Sequence, residues 1–185
     1  MNVTTLLQRQ SISVTDFRCS AGPDDTPFVE RHRCHSISFV RKGSFGCRSR
    51  GRFFELVAGS ILVGYPGDEY VCSHDHVCGD ECLSFFLEPE LVQAIGDRAD
   101  IWQIGSTPPL PELMVFGELA QAAAEGRSDI GLDEIGQRGW INHPLAGDSC
   151  SLGRGRQTAR RSNSEPFQMV HWFNLSLRFR WTRVK

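Results

Sequence analysis

Between Pro66 and Leu83 the chain concentrates side chains that bind metals: Cys72, His74, His76 and Cys78, then Cys82 after a Gly79-Asp80 turn. The first four recur at every second position, and on an extended strand such residues share one face. Thiolate and imidazole are the ligands zinc favours, and four of them close a tetrahedral site. Same-face neighbours on a straight strand stand roughly 6.5–7 Å apart. Metal–ligand bonds of about 2.0–2.3 Å therefore reach two of them but not three. The strand must bend or end near His74-Asp75-His76, and Gly79-Asp80 supplies the turn that returns Cys82. The expected ligands are His74, His76, Cys78 and Cys82, with Cys72, farthest up the strand, in reserve. The expected ion is Zn²⁺, because a Cys/His set does not suit magnesium or calcium, which take oxygen. The competing reading is a half-buried strand with small thiols in the core and histidines exposed at its end.

The wider composition sets the context for these residues. Seven cysteines, an odd number partly clustered with histidine, point to metal ligands or free thiols rather than a disulfide frame. No apolar run approaches the roughly 20 residues that span a bilayer. The first ten residues have no apolar core suited to a signal peptide. A cytoplasmic, reducing setting without membrane contact is the expectation. With 40% hydrophobic and 23% charged residues, the profile is neither disordered nor fibrous. The net charge of −2 conceals a split: residues 1–138 carry 12 basic against 20 acidic side chains, residues 139–185 carry 8 against 2. Such a split marks either a basic arm for nucleic acid or a segment of different coding history.

Most of the elements that must position the site read as strands. Ser11–Cys19 alternates apolar with polar, and Ala21–Pro27 is a loop. His35–Val40, Phe45–Ser49, Arg52–Val57 and Ser60–Val63 follow as strands, separated by turns at Lys42-Gly43, Arg50-Gly51 and Ala58-Gly59. Turn signals every 8–12 residues predict a sandwich or small barrel. Arg48, Arg50 and Arg52 alternate as well, forming a solvated face or an anion site. After Phe86 the period changes. Glu88–Ile95 and Glu112–Ala124 have helical signals, and Leu113, Phe116, Leu119 and Ala120 form the stripe of the second, for the core or a dimer. A third helix is expected from near Ser128, and Trp102 is expected in the core. Residues 139–185 have an irregular, basic composition with one amphipathic stretch at Phe173–Trp181.

The hairpin series, the segment Gly59-Ser-Ile-Leu-Val-Gly-Tyr-Pro66-Gly67 and the strand Asp80-Glu-Cys-Leu-Ser-Phe-Phe86 together resemble the amino-terminal cupin domain of AraC/XylS-type transcriptional regulators. The first of these segments is a loosened form of the second cupin motif. The resemblance covers roughly residues 10–95, and the helices to about Arg138 fit the family's dimerisation and linker region. It implies a mainly β, double-stranded β-helix with two or three short helices after it, which senses a small effector or metal ion and forms a homodimer. The domains expected are a sensor barrel at 1–95, a helical region at 96–138 and the basic tail at 139–185. Two departures matter. The first cupin motif of metal-dependent enzymes has no good counterpart, since His32-Arg-Cys-His35 has the wrong spacing and lies early. The tail is too short for two helix-turn-helix units and has the composition of a frame-shifted end, so this chain alone is not expected to bind an operator. The sensor module is the principal reading. A small metal-dependent cupin enzyme, an oxygenase or isomerase using His74, His76 and Glu81, is the alternative. A thiol switch on Cys72, Cys78 and Cys82 is a third reading, chiefly as a mechanism for the first.

Overall fold

Nine strands and four short helices account for the regular structure of the computed structural model, which describes residues 1–76, 78–94 and 99–137. In order these are β1 (Asn2–Gln8), β2 (Ile12–Cys19), β3 (Val29–Arg31), β4 (His35–Ser49), β5 (Arg52–Val57), β6 (Ile61–Gly64), β7 (Glu69–Ser73) and β8 (Asp80–Leu87). They are followed by α1 (Pro89–Ala94), α2 (Ala99–Trp102), β9 (Ser106–Thr107), α3 (Pro111–Ala124) and α4 (Leu132–Ile135). The protein is mainly β, with few and short helices, as its residue pattern indicates.

Every strand pairing is antiparallel. One sheet runs β1-β2-β8-β4-β6-β9; a second pairs β5 and β7 with β4, and β3 with β7. The long strand β4 belongs to both. Residues 35–43 pair with β8, and within them 36–39 with β6, while residues 44–49 pair with β5 and β7. The turn expected at Lys42-Gly43 is therefore a bend inside a continuous strand. Its register shifts between Val40 and Lys42, and Gly43 takes a φ of 77°. A Cβ on Gly43 would run into the Gly79 carbonyl oxygen and lie 2.9 Å from the Cα of Asp80. A bulge with glycine in the left-handed region bends and twists a strand, and here it carries β4 from one sheet to the other.

Alternation then sorts the side chains into two cores. Ile12 and Val14 of β2, Ile37 and Phe39 of β4, and Leu83, Phe85 and Leu87 of β8 face the helices. There they meet Val92, Trp102, Leu113, Ala120, Leu132 and Ile135 in the larger cluster. The opposite face of the same sheet looks into the barrel, where Val40, Phe45, Cys47, Leu56, Leu62 and Cys82 form a smaller one. Helix α3 follows the expected stripe: Leu113 and Ala120 are buried, Phe116 and Leu119 are half-buried against the core, and Gly117 lies directly on the Phe39 ring.

Five elements, β3 (Val29–Arg31) among them, depart from the sequence reading. Strand β1 was not expected, because its Thr-rich run lacks clean alternation; it forms an edge beside β2, with only Leu6 and Leu7 packed inward. The short α2 and β9 were also not expected, β9 adding two residues beside β6. The third helix begins at Leu132 rather than near Ser128, whose hydroxyl accepts the Ile130 amide at 3.2 Å and holds a turn instead. The basic tail expected at 139–185 lies outside the described residues.

Candidate metal centre and the cavity beneath it

The site grows from the way β7 ends. Strand β7 stops at Ser73, so His74, His76 and Cys78 do not continue an alternating face but lie in the turn before β8. That turn is pinned on two sides. The Gly79 amide donates to the Ala21 carbonyl at 2.8 Å, and Gly79, at a φ of 81°, has no room for a Cβ beside the Cys19 carbonyl. On its other side Gly79 touches Gly43 at the bend of β4. The turn thereby tucks His74 inward against Phe45, ring centres 6.0 Å apart, and leaves His76 and Cys78 exposed.

Cys19 ends β2 directly opposite Asp80, the first residue of β8. His74 arrives from the turn and completes a group of three: one ligand atom from each of Cys19, His74 and Asp80 lies within 4.8 Å of the others. His74 and Asp80 are 9% and 8% exposed, and His74 Nε2 stands 2.7 Å from Asp80 Oδ2. The other carboxylate oxygen, Oδ1, accepts the Cys82 thiol at 3.3 Å, and the Ala21 amide donates to the Cys19 sulfur at 3.4 Å. Burial first, and then the Asp80 carboxylate, push the Cys82 thiol far above the ordinary range, so it stays a neutral donor.

Of the five residues singled out by spacing, this group takes only His74. Cys82 touches it through Asp80. Cys72, on β7, lies directly opposite Cys47 of β4, and His76 and Cys78 point away on the turn. The strand ends where that reading required, but the turn after it directs His74 inward and leaves His76 and Cys78 exposed. Two members of the group, Cys19 and Asp80, were not named as ligands. Their signal was the register of two strands far apart in sequence, which no local spacing carries. Glu81, considered for a facial iron site with His74 and His76, lies on the other face of β8, 3.6 Å from Arg41 and 3.5 Å from Lys42. The arginine row is dispersed: Arg48 lies over Phe53, Arg50 pairs with Asp68 at 2.5 Å, and Arg52 lies over Phe54.

Beneath the group lies a cavity of about 150 Å³ inside the barrel, and above it a mouth of about 320 Å³; Cys19, Glu30, Cys72 and His74 border both. The inner wall combines Phe17, Phe45 and Phe86 with the hydroxyls of Ser36, Ser38 and Ser84, two of which bond to each other at 2.8 Å. His32 and Tyr70 stack on each other in its wall, ring centres 4.3 Å apart, and the Tyr70 hydroxyl donates to Glu30 at 3.1 Å. Burial lowers the His32 pKa, and Arg50 adds to that effect while Asp68 opposes it; the ring is a neutral donor–acceptor on the cavity wall. His32 fits only because residue 64 is glycine, whose missing Cβ leaves the space its imidazole fills. Among the described residues no lysine or arginine lines either chamber.

A thiol, an imidazole and a carboxylate are together a donor set for a borderline cation such as zinc. The edges of a tetrahedral site at bonds of about 2.0–2.3 Å are roughly 3.3–3.8 Å, so a closure of about 1 Å brings the widest pair into range. The residues present fit the ion.

No protein-family model matches the chain, and no curated protein matches its sequence. Solved structures do resemble it in shape. A cupin-superfamily protein of Desulfitobacterium hafniense matches over 46% of this chain and 75% of its own, at 13% identity and a TM-score of 0.40. An RmlC-like cupin of Shewanella frigidimarina matches over 46% and 73%, at 19% identity and a TM-score of 0.40. The cupin domain of Cnp3 from Schizosaccharomyces pombe matches over 51% and 69%, at 11% identity and a TM-score of 0.41.

Proposed function

We propose that this chain is a sensor module of the cupin type. Its barrel holds a metal ion, zinc by its donors, at Cys19, His74 and Asp80, and takes a small effector into the cavity beside it. The observation that carries this reading is the convergence of those three ligands, from three separate elements, at the opening of a preformed cavity. The ion would be held by the Cys19 thiolate, one His74 nitrogen and an Asp80 oxygen, with Cys82 and the Ala21 amide orienting the carboxylate and the sulfur. Bound there, it would supply a Lewis-acidic contact for a donor atom of the effector. The AraC-type regulator is the form of sensor that the residue resemblance supports. In it the helical layer would pair two copies, and operator binding would belong to another domain.

One observation favours a second reading. Three protein ligands facing a cavity leave a coordination position open, as catalytic sites do. A small metal-dependent cupin enzyme shares the site but not the role.

Elemental analysis of protein purified without added metal tests the proposal. Near-stoichiometric zinc in the wild type, and its loss in both His74→Ala and Asp80→Asn, are expected. Iron in place of zinc would favour the enzyme. Metal well below one ion per chain, or zinc retained in both variants, would overturn the site.

A further inference from the structure

Two cysteines outside the metal group stand in a relation that the proposed function does not use. Cys47 in β4 and Cys72 in β7 are direct partners in the antiparallel ladder, so their side chains leave the sheet on the same face. Directly opposed residues in such a ladder have Cα atoms about 4.5–5.5 Å apart. That falls within the roughly 4.4–6.8 Å that a disulfide spans, so the strand spacing permits a bond between them. Both are free thiols. Their access differs. Cys47 is fully buried, whereas Cys72 is half-buried and borders both chambers of the cavity.

We propose that Cys47 and Cys72 form a covalent modification site: a reversible cross-strand disulfide closed by a small hydroperoxide that enters through the cavity. Cys72 is the thiol that the oxidant reaches. Cys47 and burial hold the Cys72 thiol neutral, so its sulfur attacks one peroxide oxygen as its proton passes to the leaving oxygen. The O–O bond breaks and an alcohol (water, from hydrogen peroxide) leaves, giving a sulfenic acid at Cys72. The Cys47 sulfur, on the same face of the ladder directly opposite, attacks the oxidised sulfur and displaces hydroxide, which departs as water with the Cys47 proton. Two thiols and one hydroperoxide thus give one disulfide, one alcohol and one water, the two electrons passing from sulfur to the peroxide. The direct opposition of the two cysteines in the ladder favours the second step over further oxidation of Cys72. The bond draws the Cys72 sulfur off the cavity wall and ties β7, which leads directly into His74, to β4. Neither cysteine belongs to the Cys19, His74 and Asp80 group, so the proposal stands apart from the metal reading.

The test is peptide mapping of folded wild-type protein after brief exposure to hydrogen peroxide, with free thiols alkylated under denaturing conditions. The expected product is a Cys47–Cys72 linked peptide, lighter by two hydrogens than its separate parts. A thiol reductant should reverse it, Cys72→Ala should abolish it, and His74→Ala should leave it unaltered. Three results would overturn the proposal: Cys47 and Cys72 both fully alkylated after oxidation, Cys72 linked to a different cysteine, or Cys72 carried on to sulfinic acid with Cys47 still free. All are read on the wild type, so a poorly folding variant does not obscure them.

Discussion

His32 shows how one side chain on the cavity wall ties stability to pH. Burial holds its folded pKa below the ordinary value of 6.5, which the unfolded chain keeps. As pH falls through that value the unfolded chain takes up the proton first, so folding loses free energy until the lowered pKa is reached. The protein is therefore expected to unfold more easily at pH 5 than at pH 7. His32→Gln should flatten that part of the profile, measured by urea denaturation across the range. An unchanged slope in the variant would assign the pH dependence to other groups. The residue scale is also where the sequence was least legible. His74 stood out by spacing, but its partners Cys19 and Asp80 lie 61 positions apart. Only the pairing of β2 with β8 places them opposite each other. His32 was set aside because it fits no family spacing, yet it lines the cavity, since its role depends on the space over Gly64 rather than on sequence neighbours.

At the scale of elements the pattern was more legible, for a physical reason. Alternation and helical stripes are local, so β2, β5, β6, β8, α1 and α3 could all be read close to their observed places. Junctions could not. Lys42-Gly43 carries the residues of a turn, but a bulge within a strand uses the same ones, and only the pairing of both halves with other strands distinguishes them. Gly43→Ala tests that junction. The added methyl meets the Gly79 carbonyl and must adopt a positive φ, at a cost of about 1–3 kcal/mol. It should also displace the turn carrying His74, so metal content is expected to fall along with the denaturation midpoint. Full metal content in a destabilised Gly43→Ala protein would mean that the bend does not position the site. Gly117→Ala makes the contrasting case. Its methyl would strike Phe39 where α3 docks on β4, at about 1–3 kcal/mol, and leave metal content unaltered.

For the molecule as a whole, the helical layer is the face to examine. Its stripe packs inward, but Met114 and Val115 on α3 remain 40% and 59% exposed, side by side. If the pairing proposed for a sensor uses α3, light scattering should give a dimer for the wild type at tens of micromolar. Val115→Asp, which adds charge without touching the core, should shift it toward monomer. A wild type that stays monomeric would remove α3 pairing from the proposed function. No helix among the described residues is long and apolar enough to cross a membrane.

The unequal sizes of the two clusters on either side of one sheet bear on how such a barrel can change its lining. The larger lies between the sheet and the helices, whereas the wall of the chamber mixes aromatics, hydroxyls and thiols. A Leu113→Ala change in the former should cost about 2–5 kcal/mol. Exchanges among half-buried lining residues such as Ser38 or Phe86 remove far less packed apolar surface. Selection can therefore rewrite the lining of the chamber while the fold is maintained from outside it, and a lineage of such barrels can diverge in the chemistry of that lining long before it diverges in shape.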